Sequence, residues 1–244
     1  MKNLIKWEFK QIFCSKVIWG MGITLILINT LFLFITSVTE ECTGFDLFLH
    51  GCNEFNSFLL FFIGIYAGIH VTGAFEERKI QAAIMAGNSR FNIIAVKMLS
   101  FSLSIGACCM FAMIVSLVIA SFVEGTVVLV TDLFREIILR MGAYTLVEIS
   151  SVSLCFLLSM FVKNLGVAIA VNIVAMLSLN AAGQMLLGKE WAMSFLKYTP
   201  LGQTFLLLAD ASTNNLVISV VASIMGLVVT MALSYVKFRR EELK

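Results

Sequence analysis

The sequence predicts an all-α polytopic membrane protein, six transmembrane helices with both termini cytoplasmic, and three observations carry that prediction. Of its 244 residues 60% are hydrophobic and only 13% charged, where a soluble domain averages ~25% charged. The apolar residues gather in six runs, at 17–38, 55–74, 98–123, 141–162, 165–187 and 216–236. Each run is near the ~20 residues a helix needs to cross ~30 Å of hydrocarbon. The Lys and Arg residues fall on alternate connectors. With the N-terminus inside, only Arg135, Arg140, Lys189 and Lys197 of the 17 basic residues lie outside, which is the bias that sets orientation. A single proline and the lack of alternating ten-residue segments speak against a barrel.

The elements follow in order, as one transmembrane domain over 1–244. Residues 1–16 read as an amphipathic interfacial helix: at ~100° per residue Ile5, Phe9, Ile12 and Phe13 share one face, with Lys6 and Lys10 on another. Trp7 suits the headgroup level. The apolar run that follows is too long for a cleavable signal and reads as a retained first span. The first outer connector, 39–54, carries Glu40, Glu41, Asp46 and Glu54 with no Lys or Arg. Cys42 and Cys52 lie in it, where an oxidising exterior permits a disulfide as readily as two free thiols. The second span contains Gly64-x-x-x-Gly68, which lets helix backbones approach closely.

The inner connector 75–90 holds the densest pattern. Glu76 and Glu77 suit the positive N-terminal end of a short helix. Ile80, Ala83 and Ile84 mark an apolar face, and Gly87-Asn88 offers a stop and turn. Ser89 is placed to cap the third span, whose inner end holds Arg90 and Lys97. Around Lys163-Asn164 the chain makes a tight inner turn. The outer segment 188–214 carries Trp191, Phe195, Tyr198 and the sole proline, Pro200. It reads as one or two short helices lodged at the outer interface.

The residues predict no catalytic, cofactor or metal centre in this chain. Gly183 and Gly188-Lys189 imitate a phosphate loop, but Glu190 stands where Ser or Thr is needed and no strand precedes. His50 and His70 fall in different segments, and no Cys/His cluster or nucleophile turn is present. Glu148 is the one carboxylate well inside a span, either a hydrogen-bonded structural group or a proton or cation site. Asn172, Asn180 and Gln184 are spaced near helical turns, as one polar stripe serving helix packing or substrate contact.

In this arrangement the chain resembles permease subunits of the ABC-2 type exporter family, which includes bacitracin-, lantibiotic- and peptide-export or immunity permeases. The sharpest local match is 76–97: a glutamate-rich helix start, an apolar helix, then Gly87, Ser89-Arg90 and a later Lys97. Arg78-Lys79 stands where the family has Gly-Thr, and Tyr198-Thr199-Pro200 resembles its aromatic-proline turn. The resemblance implies a coupling helix over 80–86 seated in a separate cytoplasmic ATPase subunit that binds ATP and Mg, with Glu76, Glu77, Ile80, Ile84, Gly87, Ser89 and Arg90 in that contact. It implies a second permease, alike or related, and an amphiphilic cargo such as a peptide, lantibiotic or drug. An outer gate would be formed by Phe195, Tyr198 and Pro200 in re-entrant helices, with Glu148, Asn172 and Asn180 along the path. The expected home is the plasma membrane of a bacterium, among lipid, with no nucleic acid partner.

Overall fold

The computed structural model describes residues 2–39, 44–124, 131–186, 189–209 and 212–240. Among them every regular element is helical: α1 (Lys2–Cys14), α2 (Lys16–Thr39), α3 (Gly44–Ala67), a π-helical turn (Gly68–Thr72), α4 (Gly73–Glu76), α5 (Lys79–Met85), α6 (Arg90–Glu124), α7 (Thr131–Phe161), α8 (Leu165–Leu186), α9 (Glu190–Leu196), α10 (Pro200–Ala209) and α11 (Thr213–Arg239). Six helical stretches are long and apolar enough to cross a membrane: α2, α3 continued through α4, α6, α7, α8 and α11. This is consistent with a multi-pass membrane protein.

Several helices outrun their apolar stretches. The connector expected over 39–54 is helical from Gly44 onward, α6 runs from Arg90, the start that a cap at Ser89 predicts, ahead of its apolar stretch at 98, and α7 begins at Thr131 ahead of its stretch at 141. Hydropathy marks only the depth at which water is absent. The backbone ladder continues past it, because ending a helix orphans four amide or carbonyl groups wherever the end falls.

The central helices are α3 and α7, most of whose residues are buried, while α2, α8 and α11 present broad apolar surface. Leu27, Phe34, Phe61, Val174 and Met225 all lie on the exterior, an apolar area far beyond what a water-soluble monomer exposes. Small residues set the closest contacts. A Cβ at Gly64 would stand 2.7 Å from Ile173 Cγ1 and 2.9 Å from Ile173 N, and one at Gly68 would stand 2.6 Å from Ile169 Cγ1. The Gly64–Gly68 pair is thus the seat of α8 on α3. Between α7 and α11 the seam is polar: Ser150 Oγ donates to Ser223 O at 2.8 Å, and Ser153 Oγ lies 3.0 Å from Thr230 Oγ1.

One end of the bundle gathers α1, the arm around α5 and the last turn of α11. There Arg90 donates to the carbonyls of Phe238 and Arg239 at 3.2 and 2.9 Å. The Glu76 carboxylate accepts from Leu165 N at 2.8 Å, and Glu8 of α1 meets Lys97 of α6. We call this the basic end, and the opposite one the far end.

Candidate functional site

At the basic end, α5 forms a short arm between the second and third long helices. Its start is unusual, since Arg78 adopts φ +55°, the left-handed conformation that costs a side-chain-bearing residue ~1–2 kcal/mol. Its end is regular. Gly87 takes φ +85°, Asn88 N donates to Ala83 O and Gly87 N to Ile84 O. That paired bond closes a helix C-terminus on a left-handed residue, and glycine adopts it without strain. Ser89 then accepts from Asn92 N at 3.2 Å and caps α6, as its sequence position predicts.

The faces of the arm are resolved. Ile80 is buried, and Ala83 and Ile84 lean on the bundle. Ala82, Met85, Ala86, Gly87 and Ser89 are exposed, with Met85 82% accessible. Of the residues assigned to an ATPase contact, Ile80 therefore faces inward, and Glu76 is occupied capping α8. Glu77 is exposed and pairs with Lys79. Arg90 acts as a brace, its guanidinium also 5.8 Å from the centre of the Phe238 ring, while Phe75 meets the same ring edge-on.

Behind the arm a ladder of polar groups joins α3 to α6. Tyr66 OH lies 2.8 Å from Ser104 Oγ, and the Tyr66 ring stacks on Phe101 at 5.4 Å and 8°. His70 Nε2 lies 3.1 Å from Ser100 Oγ, and Lys97 Nζ donates to His70 O at 3.3 Å. His70 sits in the π-helical turn, a distortion that tends to mark working sites. The ladder ends on Glu8, whose Oε1 is 3.1 Å from Lys97 Nζ, both side chains no more than 3% exposed. The N-terminal helix is therefore bolted to the bundle through Leu4 and Glu8, with Phe13 on its open side. These contacts add a fixed seat on the bundle to the interfacial helix expected over 1–16. Glu8 was missed as a site residue. The available signal was its sign, since it is the only acidic residue among the first 39.

Towards the far end, α9 and α10 form a hairpin whose turn reaches deep into the molecule. A Cβ at Gly226, the midpoint of the 27-residue α11, would come within 2.8 Å of Pro200 Cγ and would also collide with Ser150 Oγ. Gly183, near the end of α8, packs on Phe205 with an equivalent distance of 2.8 Å. Pro200 thus packs against the middle of α11. Phe195 and Tyr198 remain exposed, at 71% and 68%.

Glu148 is wholly buried, and neither carboxyl oxygen has a hydrogen-bond partner. The neighbouring Tyr144 hydroxyl donates to Cys52 O at 3.1 Å, Ser150 serves α11, and Ser151 bonds the Glu148 backbone carbonyl. The expected polar stripe on the fifth span is split. Asn172 is buried and donates to Ser159 Oγ at 2.7 Å, while Gln184 is exposed and reaches only Asn180. A step of eight residues turns a helix by about 80°, enough to put the two groups on different faces. Cys52 is a free, buried thiol on α3, and Cys42 lies outside the described residues. No group of three or more His, Cys, Asp or Glu residues able to hold a metal occurs among the described residues.

No protein-family model matches the chain, and no curated protein matches it.

Proposed function

We propose that this chain is the membrane-spanning subunit of an ATP-driven exporter in a plasma membrane, its basic end cytoplasmic and ATP and Mg handled by a separate ATPase. The observation that carries the reading is the arm α5. It projects from the bundle with an exposed apolar tip at Met85, yet its ends are braced by Ile80, by Arg90 on the last helix and by Glu76 on α8. A push on such an arm moves three long helices together, as a mechanical input requires. The cargo is an amphiphile such as a peptide, lantibiotic or drug, and the α9–α10 hairpin with Phe195, Tyr198 and Pro200 serves as the far gate. A second permease chain is supported by α8, whose exterior carries Gln184 and Asn180. Amides facing lipid are costly, and a neighbouring helix satisfies them.

The test is co-purification from native membranes. The full chain should retain a phosphate-loop ATPase, and Met85→Glu should release it while leaving the fold and the membrane level unchanged. Retention of no ATPase by the unaltered chain contradicts the reading.

The buried, unpartnered Glu148 favours a second reading, a secondary transporter or channel with that carboxyl as its proton or cation site. Transport that follows a proton gradient without any ATPase and is lost in Glu148→Gln would select it.

A further inference from the structure

The first long helix, α2, is held tightly along one half and stands off along the other. Towards the far end Asn29 Nδ2 donates to Ser116 Oγ at 2.7 Å, and Leu33 packs so closely on Gly51 that a Cβ there would lie 2.8 Å from it. Towards the basic end the contact opens. Gly22, which faces α6, meets only Cys108 Sγ at 4.0 Å from where a Cβ would be. The wedge left between α2 and α6 is a cavity of about 470 Å³, walled by Phe9, Phe13, Trp19, Leu103 and Cys108. Its size falls in the ~300–1,000 Å³ range of small-molecule sites.

The lining is apolar apart from Ser104, whose hydroxyl is already committed to Phe101 O and Tyr66. The slot therefore has nothing to offer a polar guest. It opens sideways among exposed apolar residues (Ile23, Leu103, Phe111) and reaches up beneath α1. Lys10 on α1 follows the lining residue Phe9, and Lys16 at the start of α2 lies two residues before the lining residue Ile18; both are exposed. Glu8, the acidic residue of α1, is turned into the bundle against Lys97. The two elements that bound the slot thus carry exposed positive charge at the basic end, where a lipid headgroup would sit, beside a dry slot suited to its chains.

We infer that this wedge is a binding site for a phospholipid with an anionic headgroup, an acyl chain between α2 and α6 and the phosphate under Lys10 and Lys16. The lipid fills the void beside Gly22, and couples the position of α1, hence the Glu8–Lys97 bolt, to membrane composition. The site requires neither an ATPase nor a second permease.

Trp19 lines the wedge and reports on it. The full chain carrying Trp7→Phe and Trp191→Phe is reconstituted in vesicles of phosphatidylcholine with a brominated acyl lipid, either phosphatidylglycerol or phosphatidylcholine. Brominated phosphatidylglycerol should quench Trp19 with a preference of at least about fivefold, the order expected for surface lysines and an anionic lipid. Gly22→Leu, which fills the slot without striking the core, should abolish that preference, and Lys10→Gln with Lys16→Gln should reduce it severalfold. Ala107→Phe fills the same space from α6 if Gly22→Leu does not accumulate. Equal quenching by the two headgroups, the mark of ordinary surrounding lipid only, overturns the proposal. So does a preference that survives filling the slot.

Discussion

Glu8 and Lys97 hold each other's charge out of water, so removing one leaves the other uncompensated. Glu8→Gln should cost about 3–5 kcal/mol, the usual penalty for halving a buried pair, read as a lowered midpoint of thermal unfolding in detergent. The double change Glu8→Leu with Lys97→Met should recover most of the loss, because an apolar pair of similar volume replaces an ion pair at little cost. A double variant no better than the single one would show that α1 is not held by this contact. Arg78 makes the opposite prediction. Its φ of +55° is strained for any residue with a Cβ. Arg78→Gly should be neutral or stabilising by up to about 1 kcal/mol, the left-handed strain released less the added freedom of the unfolded chain. A clear fall in the unfolding midpoint would mean that the guanidinium makes a contact worth more than the strain.

Among the elements, the seat of α8 on α3 is the least tolerant of added atoms. A Cβ at Gly64 meets the backbone of Ile173 at 2.9 and 3.1 Å, and a backbone cannot turn aside as a side-chain tip can. Gly64→Ala should therefore cost about 1–3 kcal/mol as overpacking, while Gly142→Ala, with nothing within 4 Å, should be neutral or slightly stabilising. Equal effects at the two positions would refute the close approach. This seat was legible from the Gly64-x-x-x-Gly68 spacing, as the Gly87 stop and the Ser89 cap were from theirs, because each is a local rule read within a few residues. The seat of Pro200 against the middle of α11 was not legible residue by residue. It depends on Gly226 and Ser150, which are distant in the chain and individually unremarkable. Nor was the burial of Ile80, since an apolar face on a short helix suits the parent bundle and a partner equally well.

For the whole molecule, apolar length foretold the six long helices, and the structure adds that the last turn of α11, the arm and the Glu8–Lys97 bolt share one end. What the sequence could not supply is where polar groups inside the bundle find partners. It left Glu148 open between structural and functional roles, and its carboxyl has no hydrogen-bond partner in a site whose donors serve other acceptors. Asn172 bonds Ser159 on α7, the helix-packing alternative of its sequence reading, but which partner it would find was not legible. The account as a whole requires the arm and the α9–α10 hairpin to lie on opposite sides of one bilayer. Thiol labelling with a membrane-impermeant reagent tests this directly, using Met85→Cys and Lys189→Cys in a chain with Cys14 and Cys42 replaced by serine. Lys189→Cys should react in intact cells and Met85→Cys only after permeabilisation. Equal labelling of both positions from the same side would contradict the architecture and the exporter reading built on it.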